Sequence, residues 1–249
     1  VKAKKIGLTA CIKAENMKLK RSFIWIAFFI VPVIPALMGT GNYLQNIDVL
    51  KMEWFSLWTQ HTLFYSNFFY APLIAVYCAY TWRVENFNHN RNALMTAPVP
   101  TGYIFFAKQL NIFWVTLLTQ IWVWVLYVLC GKTAGLPGLP DSVIFYWLIR
   151  GAWGGMGVAT LLLLASMVVR SFAVPVAFGL VGGITGLLAS NSKYGMYYPF
   201  SLMMMGMNSN QYENALGGEE LQFMIFSTLY IVLFSLCGIR WLAVRDVKA

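Results

Sequence analysis

Few residues in this chain are equipped for chemistry, and the spacing around each one narrows what it can do. Gly131-Lys132-Thr133 resembles the end of a phosphate-binding loop, in which glycine amides and a lysine hold nucleotide phosphates. Such a loop needs another glycine five residues before Gly131, and Leu126 stands there. Nor does the chain have room for a nucleotide-binding domain, so any ATP-driven activity requires a separate subunit. Neither His61 nor His89 has a partner at metal-ligand spacing. Cys11, Cys78, Cys130 and Cys237 are scattered without a CxxC pair, which argues against a metal site or a disulfide framework. The long apolar stretches encode no aspartate pair, no zinc motif and no Ser–His dyad, so an intramembrane protease is not expected. They also lack the buried carboxylates by which ion-coupled transporters carry protons or sodium. Arg150 is the one clear charge inside an apolar stretch: either a functional cation or a side chain snorkelling outward. The chain does not read as an enzyme.

What must position these residues is membrane. Of 249 residues, 59% are hydrophobic and 11% charged, with a mean hydropathy of +0.63. Soluble domains carry about a quarter charged residues. The apolar runs are continuous rather than alternating, which predicts helices and not a β-barrel. Residues 5–20 are expected to form an amphipathic helix on the inner surface, with Lys18, Lys20 and Arg21 as headgroup anchors. Six spans follow at about 22–39, 62–82, 103–130, 143–169, 172–189 and 221–238. The first is longer than the apolar core of a signal peptide and has no clean cleavage site, so it is expected to be retained. Pro32 and Pro35 predict a kink in it. Trp54 and Trp58 are expected at headgroup level, as are Trp122, Trp124 and Tyr127. Lys108, just inside the third span, is expected to snorkel back to the inner surface. Gly151/Gly155, Gly179/Gly183 and Gly182/Gly186 are four apart and predict close helix packing. An outer loop, 191–220, contains a methionine-rich stretch, 203–207, expected as a short re-entrant or surface helix.

Charge then orients the spans. Counting with the N-terminus inside, fourteen of the eighteen basic residues fall in inner segments. Lys51, Lys132 and Lys193 fall outside, and Arg150 within a span. The acidic residues lean the other way, with Asp48, Glu53, Asp141, Glu213, Glu219 and Glu220 outside. The positive-inside rule therefore predicts cytoplasmic termini and a cytoplasmic segment 83–102. Clustering of the basic residues at span ends explains the net charge of +9 without nucleic acid. With no internal carboxylates to carry ions, the energy source is expected outside the chain, and the polar segment 83–102 is the surface a cytoplasmic motor would push. Glu85 suits an early helical turn, Leu94 and Met95 supply an apolar knob, Asn90 and Arg91 polar contacts, and Pro98 and Pro100 the stop before the third span.

Glu85, the run Asn90-Arg91-Asn92-Ala93-Leu94-Met95-Thr96-Ala97-Pro98-Val99 and Lys108 together resemble the cytoplasmic loop of ABC-2 type permeases. The lead segment Ala14-Glu15-Asn16-Met17-Lys18-Leu19-Lys20-Arg21-Ser22 resembles the start of their lantibiotic-immunity branch. The run of Asn and His departs from the Glu/Arg-rich stretch of many such loops. The resemblance implies an all-α, six-span permease domain over 1–249 with the ABC-2 (type V exporter-like) fold. It further implies that 83–102 is a coupling helix seated in an ATPase subunit. Two permeases, identical or homologous, would pair with two ATPases, and ATP and magnesium would be bound there and not by this chain. Family membership implies expulsion of a membrane-active antimicrobial peptide from a bacterial plasma membrane. Arg150, Glu213, Glu219 and Glu220 would lie on the outer, substrate-facing side, where acidic groups suit a cationic peptide. Another cargo (drug, lipid or polysaccharide) and a non-transporting scaffold or sensor remain alternatives.

Overall fold

A computed structural model describes residues 7–20, 22–86 and 98–244. Arg21, His89, Asn90, Arg91, Leu94 and Met95 lie outside the described residues. Among the described residues the regular structure is helical throughout, and six helices are long and apolar enough to cross a membrane. Helix α1 (Leu8–Leu19) precedes them. Its stripe of Leu8, Cys11, Ile12, Glu15, Lys18 and Leu19 turns inward, the i, i+3, i+4 spacing of one helical face, whereas Met17 and Lys20 face outward.

The first span is α2 (Ile24–Ile30) followed by α3 (Val33–Gln45). The interruption falls at Pro32, whose ring nitrogen cannot donate to the preceding turn. Trp122 Nε1 donates to the Phe29 carbonyl beside this break, at 3.2 Å. The second span is α4 (Glu53–Phe64), a π-helical turn (Tyr65–Tyr70) and α5 (Ala71–Asn86), which run on as one 34-residue helix. The third is α6 (Thr101–Thr133), the fourth α7 (Ser142–Val168) and the fifth α8 (Ala173–Ser190). The α7 N-terminus is capped by Asp141, whose carboxylate accepts from the Val143 amide at 2.9 Å. A 3₁₀ turn (Gly195–Tyr197) and the short α9 (Pro199–Gly206) lead to α10 (Glu220–Val244), the sixth span. At 1.5 Å per residue α6 is about 50 Å long. That exceeds the roughly 30 Å of hydrocarbon in a bilayer, so its ends reach beyond the membrane core.

The second and fourth spans form the centre. Two-thirds (67%) of the most apolar window of each is buried, against 17% for α10. Helix α5 packs on α7 and α8, while α7 also carries α6, α9 and α10. Helix α9 is inserted rather than laid on the surface: Phe200, Leu202, Met203 and Met204 are buried, and its neighbours are α7 and α8. Of the two expected forms for the methionine-rich stretch, the re-entrant one is found. Glycines make these close approaches possible. A Cβ on Gly154 would lie 2.7 Å from the Leu202 carbonyl oxygen, and one on Gly179 2.9 Å from that of Ala71.

The second span begins earlier than its expected start at 62. Residues 53–61 read as loop because Thr59, Gln60 and His61 interrupt the apolar pattern. In the fold each polar side chain is satisfied within the protein. Gln60 Oε1 accepts from Asn42 Nδ2 at 2.5 Å, His61 Nε2 lies 2.9 Å from Thr40 Oγ1, and Thr59 Oγ1 donates to the Ser56 carbonyl at 2.8 Å. The same register buries Trp54, Trp58 and Tyr127 inside the protein instead of leaving their rings open to headgroups. Tyr127 Oη donates to the Trp54 carbonyl at 2.6 Å, Trp54 Nε1 to that of Pro137 at 2.7 Å, and Trp58 Nε1 to that of Met207 at 3.0 Å. Protein carbonyls, not the lipid–water boundary, supply the polar partners that these rings need.

Packing against backbone makes Gly154 intolerant. Gly154→Val forces α7 away from α9 and is expected to destabilise the protein by about 1–3 kcal/mol. Gly102→Ala, where the added Cβ meets only the Ile239 side chain at 3.7 Å, should leave thermal unfolding of the purified protein unchanged.

Candidate functional site

Where α1, the last described turn of α5 and the early turns of α6 converge, four charged side chains meet, three of them buried and Lys18 half-buried. Lys108 Nζ is fully buried and lies 2.9 Å from Glu15 Oε2 and 2.7 Å from Glu85 Oε1. Lys18 Nζ completes the ring, bonding Glu15 Oε1 at 2.6 Å and Glu85 Oε1. Two carboxylates thus face two ammoniums, and the cluster is formally neutral. Neutrality matters because an unpaired charge in a low-dielectric site costs several kcal/mol. The Trp82 ring, 5.0 Å from Lys108 Nζ, adds a cation–π contact from below. Burial pulls the Lys18 ammonium toward neutrality, but Glu15 and Glu85 outweigh it and hold its pKa above the ordinary lysine value.

The cluster corrects three expectations. Lys108 does not snorkel to the inner surface: two carboxylates meet it inside the protein, so its charge is balanced without reaching water. Lys18 anchors α1 to these carboxylates rather than to headgroups alone, leaving Lys20 as the exposed member of the pair. Glu85 does not open a helix: it lies within α5, about four turns after the helix begins. Buried carboxylates, held absent at first reading, are therefore present at one end of the spans. Glu15 was passed over as a site residue. The available signal was that a lysine inside an apolar stretch demands a counter-charge, and Glu15 and Glu85 are two of only three acids on the same predicted side.

Segment 87–97 lies outside the described residues, but what flanks it is fixed. Glu85 stands just before it, and Lys108 is two turns into the helix that follows it. Pro98, exposed in a bend, is the described member of the apolar-and-proline set. The four charges join α1, α5 and α6 at these flanks.

At the opposite end of the second span, polar contacts tie it to the loop after α9. Ser66 Oγ lies 2.6 Å from Ser209 Oγ, and Ser209 Oγ donates to the Thr62 carbonyl at 3.2 Å. The Asn210 amide donates to Thr62 Oγ1 at 3.2 Å. Arg150 neither snorkels nor stands free. Its Nε donates to the Gly206 carbonyl at 2.9 Å, Nη2 to that of Met205 at 3.3 Å, and Nη1 to Asn214 Oδ1 at 3.1 Å. These carbonyls close α9, so the guanidinium caps the C-terminus of the inserted helix, where a cation is favoured. Glu220, 3.9 Å from Arg150 Nη1, accepts from Asn214 Nδ2 at 2.7 Å. It belongs to this capping network, whereas Glu213 and Glu219 are exposed. His61 is held by Thr40 and stacks edge-on against Tyr127. Among the described residues no three His, Cys, Asp or Glu side chains gather into a metal-binding group.

Residues 11–186 match the family model described as ABC-2 family transporter protein, more than two-thirds of the chain. The chain belongs to the ABC-2 family of transporter proteins. It is thus a multi-pass membrane permease subunit of an ABC transporter, not itself catalytic, and its working partner is an ABC ATPase. All four charges of the cluster fall inside the matched residues, whereas α9 and α10 lie beyond them. No curated protein matches the chain closely enough to add to this assignment. The cluster sits at the roots of the segment between spans two and three.

Two substitutions test the structural half of this description. Lys108→Met leaves two buried carboxylates with one ammonium, and the permease should lose about 3 kcal/mol of stability. Adding Glu85→Gln restores neutrality, so thermal unfolding of the double variant should recover part of that loss. Arg150→Met strips the donors from the end of α9. The 207–219 loop should then be cut by protease at least several-fold faster, with the six spans still folded.

Proposed function

We propose that this permease drives ATP-powered export, with segment 83–102 acting as a coupling helix seated on the partner ATPase. The observation that carries this reading is the four-charge cluster, which fastens the roots of that segment to α1 and α6. A push on the segment then moves three helices as one body. Asn90, Arg91, Leu94, Met95 and Pro98 are proposed to meet the ATPase, with Leu94 and Met95 as the apolar contact. Glu85 and Lys108 carry the displacement inward rather than touch the partner. Two permeases, identical or homologous, would assemble with two ATPases that bind ATP and magnesium. Both termini and the coupling segment would face the cytoplasm of a bacterial cell, in agreement with the basic residues gathered at that end of the spans.

For the cargo we propose a cationic amphipathic antimicrobial peptide, a lantibiotic, expelled to protect the cell that makes or meets it. Support comes from the lead segment around Glu15 to Ser22, and from the exposed carboxylates of Glu213 and Glu219 in the loop after α9. Opposite charge raises the encounter rate of a basic peptide with such a surface.

Replacing Leu94 and Met95 together with asparagine should abolish co-purification of the ATPase while the permease stays monodisperse. Retention of the complex and of its stimulated ATP hydrolysis would rule out the coupling-helix reading. Cells expressing the complex should survive higher doses of a lantibiotic than cells without it, and Glu213→Gln with Glu219→Gln should reduce that protection. Protection that is absent from the start points to another cargo, such as a drug, lipid or polysaccharide.

A further inference from the structure

We infer that the π-helical turn Tyr65–Tyr70 is a hinge, the point at which the second span changes its winding as the coupling segment is driven. The inference rests on the permease reading for its role in transport, but the hinge itself is a property of the chain. A π turn takes in one residue more than an α turn, so releasing it rotates one flank of the helix relative to the other. Here the flanks are fastened at both ends. Above the turn, Trp58 and Thr62 bond Met207, Ser209 and Asn210 of the loop after α9, and Ser66 at the start of the turn meets Ser209. Below it, Glu85 is locked into the charge cluster. Relative motion of the two ends must be taken up between them.

The turn is built to allow this. Ser66 Oγ donates to the Thr62 carbonyl and Asn67 Nδ2 to the Leu63 carbonyl, both at 2.7 Å. In an α-helix those carbonyls would take the amides of the same two residues, so they keep a donor in either winding. The wall behind the turn lacks side chains. A Cβ on Gly183 would strike the Asn67 carbonyl oxygen, and one on Gly155 the Tyr70 hydroxyl. Toward α6 lies a buried polar seam that is only partly satisfied. Tyr77 Oη and Thr119 Oγ1 are 3.0 Å apart and Tyr70 Oη faces the Gln120 amide, but Tyr65 Oη and Thr116 Oγ1 bond no other protein group. The Tyr65 and Tyr70 rings stack at 5.1 Å within the turn itself. Unmet buried polar atoms disfavour the present arrangement relative to one that pairs them. That narrows the gap between two windings, as a switching element requires.

Amide hydrogen exchange of the purified chain in lipid nanodiscs tests the hinge without ATPase or cargo. Amides of 66–71 should exchange about tenfold or more faster than those of 56–61 and 74–79, since local opening is easiest where the helix is least committed. Uniform protection from 53 to 86 would overturn the proposal. Deleting Phe68, an outward-facing residue, removes the extra member of the π turn and keeps both flanks in register. In the complex with its ATPase, ATP with vanadate should change exchange at 66–71 in the wild-type permease but not in the deletion variant. No change in the wild type also overturns the hinge. A chain that shows the local fast exchange yet binds no ATPase would instead overturn the coupling reading and leave the hinge standing.

Discussion

Two buried carboxylates held between the fully buried Lys108 ammonium and the half-buried Lys18 are the constraint on which the rest of this permease depends. None of the four tolerates burial alone; together they are neutral, each charge meeting opposite charge at hydrogen-bond distance. The arrangement is demanding because its members come from three separate helices, two of them divided by segment 87–97. A buried ion pair is not a strong source of stability, since desolvation consumes most of the attraction. Its value is geometric. It fixes where α1 lies against α6 and α5.

The second span extends that constraint across the molecule. It is cation-bound toward one end, widened in the middle and hydrogen-bonded to the loop after α9 on the other side of the turn, and it packs on α7 and α8. The helices around it are cut to the same purpose, with glycines where α7 and α8 approach α9 and α5 and with large side chains where they face outward. Helix α10, by contrast, is largely exposed along its length, with Leu221, Ile225, Leu229 and Leu236 turned out as a lipid-facing or partner-facing helix would be.

Much of this was legible in the residues. Apolar runs near twenty residues predict the spans because a bilayer offers backbone groups no other partner. Fixed four-residue spacing of glycines predicts close packing because those positions share a helix face. Glu85 and Lys108 also stood out as site residues, one next to the polar segment and the other alone in an apolar helix. Their roles did not follow from their types. A lone lysine near a span end snorkels or pairs according to what faces it, and what faces it comes from 93 and 23 residues away. Trp54, Trp58 and Tyr127 misled for the same reason, since an aromatic ring with a polar edge suits a headgroup and a buried carbonyl equally.

The sequence by itself determined the all-helical membrane class, the number of spans, the concentration of positive charge at one end and the family to which the permease belongs. These follow from local composition and period, which a bilayer reads residue by residue. Only the tertiary structure decided that Glu15 and Lys18 of α1 close a ring with Glu85 and Lys108, that Arg150 caps an inserted helix, and that the second span carries a π turn between two anchored ends. Each of these depends on which groups meet across helices, and a hydropathy pattern carries no record of such meetings.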